Sequence, residues 1–82
     1  MTDKEEIKDG LVETFYKNGQ LYKRENYIDG KRDGLYEGFY ENGQLFTIGN
    51  YKDGEKDGLR EYFDKDGNLL TTEEYKDGEL IE

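Results

Sequence analysis

Apolar and aromatic residues in this chain come in short bursts separated by polar gaps that contain glycine. One burst runs from Leu35 to Tyr40 and the next from Leu45 to Tyr51, joined by Glu41-Asn42-Gly43-Gln44. Within a burst the character alternates residue by residue, the period of a strand rather than a helix. Asn-Gly between two such runs is the strongest short-range hairpin signal. Glycine every few residues, with much Tyr, Phe and Thr, disfavours helix. Each burst pair therefore predicts one β-hairpin.

The hairpin recurs with a period of twenty-four. Leu11, Leu35 and Leu59 align, as do Phe15, Phe39 and Phe63, then Leu21, Leu45 and Leu69, and finally Tyr27, Tyr51 and Tyr75. Between copies the chain reads YIDGKRDGL (27–35) and YKDGEKDGL (51–59), each with two Asp-Gly pairs. The first pair predicts the turn from one copy to the next. The second glycine is expected to open the following strand and to let a tyrosine ring lie against bare backbone. The whole chain reads as one repeat domain: 1–9 an N-terminal cap or tail, 10–33 and 34–57 the first two repeats, and 58–82 the third with a C-terminal cap. The fold class is all-β, an elongated antiparallel meander of tandem hairpins in a single twisted sheet of six to seven strands, the seventh beginning at Leu80-Ile81.

Register sorts the side chains onto two faces, because a one-residue slip turns every side chain over. A three-residue loop Lys17-Asn18-Gly19, with the glycine left-handed, sets Phe15 opposite Leu21 and repeats that pairing in each copy. A two-residue loop would pair Phe15 with Tyr22. The three-residue loop gathers the recurring residues on one face: the spine Phe15, Leu21, Phe39, Leu45, Phe63 and Leu69, flanked by Leu11, Leu35, Leu59 and the tyrosines 27, 51 and 75. The other face then carries Val12, Tyr22, Arg24, Tyr36, Phe46, Ile48, Tyr62 and Leu70, which change from copy to copy. The lateral offset across the turn between copies stays open; an odd-numbered loop there would preserve the faces.

The pattern Tyr-x-Asp-Gly-x-x-x-Gly at Tyr27 to Gly34 and Tyr51 to Gly58 resembles the MORN repeat (membrane occupation and recognition nexus). The phrase Phe-Tyr-x-Asn-Gly-Gln-Leu, at Phe15 to Leu21 and Phe39 to Leu45, resembles its bacterial variant, and in particular the YwqK-type antitoxin family of toxin–antitoxin systems. The resemblance covers Gly10 to Glu79 and implies an extended hairpin sheet serving as an interaction surface. The third copy departs from it, with Asp64-Lys65-Asp66-Gly67-Asn68-Leu69 for Tyr-Glu-Asn-Gly-Gln-Leu, as a terminal unit of an array does.

Composition narrows the function. Among 82 residues, 40% are charged and 32% hydrophobic, with eleven glycines and twelve aromatics, and Ala, Cys, His, Pro, Ser and Trp are absent. So much charge points towards disorder, but recurring aromatics oppose it. Without Ser, Cys or His no nucleophilic triad is available, and no thiolate or imidazole zinc site. The recurring Glu13, Glu37 and Glu61 are expected on an open sheet, solvated or paired with cross-strand residues such as Lys23, rather than in a catalytic cleft. Asp64-Lys65-Asp66-Gly67-Asn68 starts like a calcium loop, yet the sixth and twelfth positions are Leu69 and Tyr75 where Gly and Glu are required. We expect no enzyme, no cofactor and no metal.

The net charge of −9 repels phosphate backbones and anionic lipid and attracts basic partners. The expected function is a protein-binding module, an antitoxin or immunity-like protein that masks a basic partner such as a toxin, with no nucleic acid or membrane involved. Its anchors are placed at Tyr22, Tyr36, Phe46, Ile48 and Tyr62, since large aromatic side chains dominate interfaces. The alternative is a structural module that self-associates, to a homodimer for instance, by sheet packing or edge pairing. The first twenty residues hold no apolar run, so a cytoplasmic location is the default expectation, compatible also with a leader already removed.

Overall fold

Three tight loops, each closed by the same pair of hydrogen bonds, set the architecture. At the first, the Tyr16 N–H donates to the Gln20 carbonyl at 2.8 Å and the Gly19 N–H to the Tyr16 carbonyl at 3.0 Å. Gly19 has φ +91°, a conformation that glycine adopts without penalty. This is the three-residue loop, and in a computed structural model describing residues 9–81 it sets Phe15 opposite Leu21, Phe39 opposite Leu45 and Phe63 opposite Leu69. The tail or cap expected at 1–9 lies, apart from Asp9, outside the described residues.

Seven strands follow in chain order as one antiparallel sheet: β1 Gly10–Phe15, β2 Leu21–Ile28, β3 Lys31–Phe39, β4 Leu45–Lys52, β5 Glu55–Phe63, β6 Leu69–Lys76 and β7 Glu79–Leu80. The molecule measures 44 × 35 × 13 Å, the thickness of a single layer. Among the described residues no apolar side chain is buried.

Two irregularities per copy decide the faces. Directly after the Phe15–Leu21 pair, Thr14 pairs with Lys23, which leaves Tyr22 as an extra residue in β2. The same bulge leaves Phe46 and Leu70 extra in β4 and β6. An extra residue reverses the sense of every later side chain in the strand. The turn between copies reverses it again, because it has an even number of residues. Ile28 pairs with Lys31 around Asp29-Gly30, whose φ angles of +52° and +81° are those of a type I′ hairpin. The two reversals cancel, so the spine stays on one face although the turn is not odd-numbered.

Within a copy they do not cancel, and three expected positions change side. Tyr27, Tyr51 and Tyr75 stand on the face opposite the spine; Tyr51, for one, has its ring 5.5 Å from that of Tyr36. Arg24 and Ile48 go the other way, onto the spine face. Arg24 pairs with Glu13 and Glu37 at 3.1 and 3.2 Å, and Ile48 lies between Glu37 and Glu61. Lys23, expected beside the recurring glutamates, instead shares the other face with Glu25.

The doubled Asp-Gly also has a different logic from the one expected. Asp33, Gly34 and Leu35 together oppose the single Asn26, and Gly34, at φ +102°, sits inside β3 rather than at its start. No tyrosine ring lies there; a Cβ at Gly34 would meet only the Asn26 Cβ, at 3.6 Å. The aspartate is the working member of the pair. The Asp33 carboxylate accepts the N–H of turn residue Asp53 at 3.1 Å, as Asp9 does for Asp29 at 2.9 Å. One Asp-Gly makes a turn, and the Asp of the other holds the turn of the next copy.

The opposite border is fastened by tyrosine. The Tyr16 hydroxyl donates to the Phe39 carbonyl at 2.7 Å and Tyr40 to the Phe63 carbonyl at 2.8 Å. In the third copy Asp64 takes the tyrosine's place. It accepts the N–H groups of Asp66 and Asn68, each at 2.9 Å, and so closes on its own loop.

Candidate functional site

The five residues buried among those described, Glu25, Gly38, Thr47, Gly49 and Arg60, lie on the face opposite the spine. Two of them lack side chains, and the long residues around them lean across the space this leaves. The bulges bring this about, by turning Glu25, Thr47, Gly49 and Tyr51 onto the same face as Tyr22, Tyr36, Phe46 and Tyr62.

The rings form three contact groups, one of them the Tyr36–Tyr51 pair. Tyr16 meets Tyr22 edge-on with centroids 5.0 Å apart, Tyr40 meets Phe46 at 5.2 Å, and Phe46 meets Tyr62 at 5.9 Å. These are the separations at which aromatic pairs attract beyond simple burial. Tyr22 and Phe46 stay 43% and 40% exposed, so their groups present edges to solvent.

Cations of the chain occupy several ring faces. The Arg60 guanidinium lies 4.9 Å from the Tyr36 centroid, 5.6 Å from Tyr51 and 6.0 Å from Tyr62. Only 6% of Arg60 is exposed, and its Nε and Nη1 are buried without a hydrogen-bond partner among the described residues. Ring faces thus stand in for hydrogen bonds there. Arg32 covers the Tyr51 ring at 5.4 Å and Lys56 the Tyr75 ring at 5.0 Å.

Two carboxylates organise the polar part. Glu25, 4% exposed, pairs with Arg32 at 2.6 Å and Lys23 at 3.4 Å. Burial alone would raise its pKa, but the Arg32 and Lys23 contacts outweigh burial and hold it below the usual carboxylate value. Glu73 accepts the hydroxyls of Tyr75 at 2.8 Å and Tyr62 at 3.0 Å, which lower its pKa. Burial raises the pKa of Tyr36, and burial followed by the bond to Glu73 raises that of Tyr62.

Of the five expected anchors, the fold gathers Tyr22, Tyr36, Phe46 and Tyr62 on this face and leaves Ile48 on the other. Sequence reasoning missed Tyr16, Tyr40, Tyr51 and Arg60. The first two were assigned to neither face, and Tyr51 was read as scaffold. Arg60 stands where the other copies have Val12 and Tyr36, and that mismatch was the available signal. Among the described residues no group of three or more acidic side chains converges to hold a metal ion, and no helix is long and apolar enough to cross a membrane.

Three segments, residues 8–29, 32–53 and 56–77, match the family model described as MORN repeat variant. No curated protein and no solved structure matches the chain.

Proposed function

Because the chain belongs to the MORN repeat variant family, whose repeats are binding modules without catalytic activity, we propose that it is a protein-binding module whose aromatic face takes a basic partner. The finer form of this reading is an antitoxin or immunity-like role, in which the face masks a cationic effector. One observation carries it: four aromatic side chains from three copies, Tyr22, Tyr36, Phe46 and Tyr62, stand together on a single face, with Tyr22 and Phe46 open to solvent. Such side chains bury large area at small entropic cost and dominate interface energetics. The net charge of −9 speeds encounter with a cationic partner and makes that encounter salt-dependent.

The test is affinity capture from host lysate with the wild-type chain and with Tyr36→Ser/Phe46→Ser. The wild type is expected to retain a basic protein in a salt-sensitive manner, and the double variant to lose it while keeping the strand signal in circular dichroism. Equal capture by both would overturn the reading.

A second reading rests on the spine face, where Phe15 and Leu69 are 56% and 53% exposed and no second layer among the described residues covers them. Self-association through this face would satisfy that apolar surface. Light scattering over a concentration series decides: growth in mass supports it, and a constant monomer removes it.

A further inference from the structure

Position 38 differs from its counterparts in a way that leaves a hole. The equivalent residues in the three copies are Thr14, Gly38 and Tyr62. Gly38 and Tyr62 are both cross-strand partners of Thr47, one on each side. The Tyr62 ring fills the space above its strand, edge-on to Phe46 at 5.9 Å and beside Arg60. Above Gly38 no side chain does this. A groove of about 220 Å³ opens there instead, walled by Tyr16, Tyr22, Tyr36, Tyr40 and Phe46 with Lys23 at its side.

The walls repeat those of the filled site. Stepping back twenty-four residues turns Phe46 into Tyr22, Arg60 into Tyr36 and Thr47 into Lys23, and all three line the groove. The groove is thus the Tyr62 site with its occupant removed. Its volume falls below the ~300 Å³ at which small-molecule pockets begin, the size for a single side chain.

Resting on the protein-binding reading above, we propose that this groove receives one aromatic side chain, tyrosine or phenylalanine, from the partner protein. The incoming ring stands edge-on to Tyr22, as the Tyr62 ring stands to Phe46. A basic side chain is the poorer fit: the Lys23 ammonium is already in the wall, 5.8 Å from the Tyr22 centroid, and repels a second cation. A phenol hydroxyl would find in Lys23 a donor.

The experiment titrates isotopically labelled protein with 4-methylphenol and, separately, with butylammonium, following amide chemical shifts. The expected result is saturable phenol-induced shifts at Tyr22, Gly38, Tyr40 and Phe46, with butylammonium at least tenfold weaker there. Gly38→Tyr should fill the groove from within and weaken the phenol at least tenfold. The backbone conformation suits this change, since φ at Gly38 is not positive, but the new Cβ would stand 3.2 Å from the Thr47 methyl, which must give by a few tenths of an ångström. Tyr22→Ala, which removes a wall without adding bulk, serves if that variant does not fold, and it too should abolish the shifts. Tyr62→Gly should create a second site and raise the stoichiometry from one to two.

Tighter binding of butylammonium, or phenol shifts unchanged in Gly38→Tyr and Tyr22→Ala, would overturn the proposal. So would full capture of the basic partner by a folded Gly38→Tyr variant, a result that leaves the wider binding face intact. Loss of capture only in Tyr36→Ser/Phe46→Ser speaks to that face, and loss in Gly38→Tyr as well speaks to the groove.

Discussion

Arg60 lies so close over Gly49 that a Cβ built on the glycine would stand 3.0 Å from the arginine Cγ and 3.3 Å from its Cβ. The residues sit on neighbouring strands, and the absent side chain at Gly49 lets the arginine stem cross towards the rings of Tyr36 and Tyr51.

Gly49→Ala should therefore destabilise the fold. Removing a glycine from a strand ordinarily gains about 0.5–1 kcal/mol, but overpacking costs about 1–3 kcal/mol, and the arginine Cβ has no freedom to retreat. A net loss of roughly 1 kcal/mol is expected in urea unfolding. Combined with Arg60→Ala the Cγ contact disappears and only the 3.3 Å Cβ contact remains, so the two changes together should fall short of additive.

Tyr40→Phe removes the hydroxyl that reaches the Phe63 carbonyl one copy further on. The expected loss is about 1 kcal/mol, the net worth of a hydrogen bond, seen as a lower denaturation midpoint with an unchanged slope. Tyr16→Phe should behave alike, since its bond is of the same length within 0.1 Å.

Acid should weaken the fold through Glu25. Its pKa is lower in the folded chain than the ~4.3 of a free glutamate, because the Arg32 and Lys23 contacts overcome burial. A depressed carboxylate contributes stability that is present above the unfolded pKa and lost as pH falls through the folded one. Stability should therefore drop below about pH 4.3, and Glu25→Gln should flatten that drop. At neutral pH the same variant strands Arg32 and should lose roughly 2–3 kcal/mol, as when one member of a charged pair is removed.

At high pH Tyr36 and Tyr62 should ionise late. Burial raises Tyr36, and burial with the Glu73 bond raises Tyr62, so both hold their protons beyond the ordinary value near 10. The stability tied to them is complete below that value and is lost as pH rises through their folded pKa values. Tyrosinate absorbance should show a late component, and Glu73→Gln should bring Tyr62 earlier while leaving Tyr36 in place.

Much of the scaffold was legible because its signals are local. The Asn-Gly loop demands a left-handed glycine, and once Gly19 is placed the Phe15–Leu21 pairing follows from counting. The Asp29-Gly30 turn is equally plain. The bulge at Tyr22 was not legible, because it uses tyrosine, phenylalanine and leucine in successive copies and carries no glycine or other local mark. One unmarked residue moves Arg24, Ile48 and Tyr51 across the sheet, since facing is a matter of odd and even. The burial of Glu25 and Arg60 was hidden for another reason. Charged residues reach the middle of a sheet only when partners on other strands, here Arg32 on β3 for Glu25 and the rings of Tyr36 on β3 and Tyr51 on β4 for Arg60, are already in position.

A protein whose described residues enclose no apolar interior has no volume to fill. A globule that grows must find a larger core and remake its outline. This ribbon, fastened by one tyrosine and one aspartate in each of its first two copies, needs only another pair of fasteners. Its footprint can be lengthened or trimmed by whole units, and the grip on a target adjusted, without disturbing the units already in place.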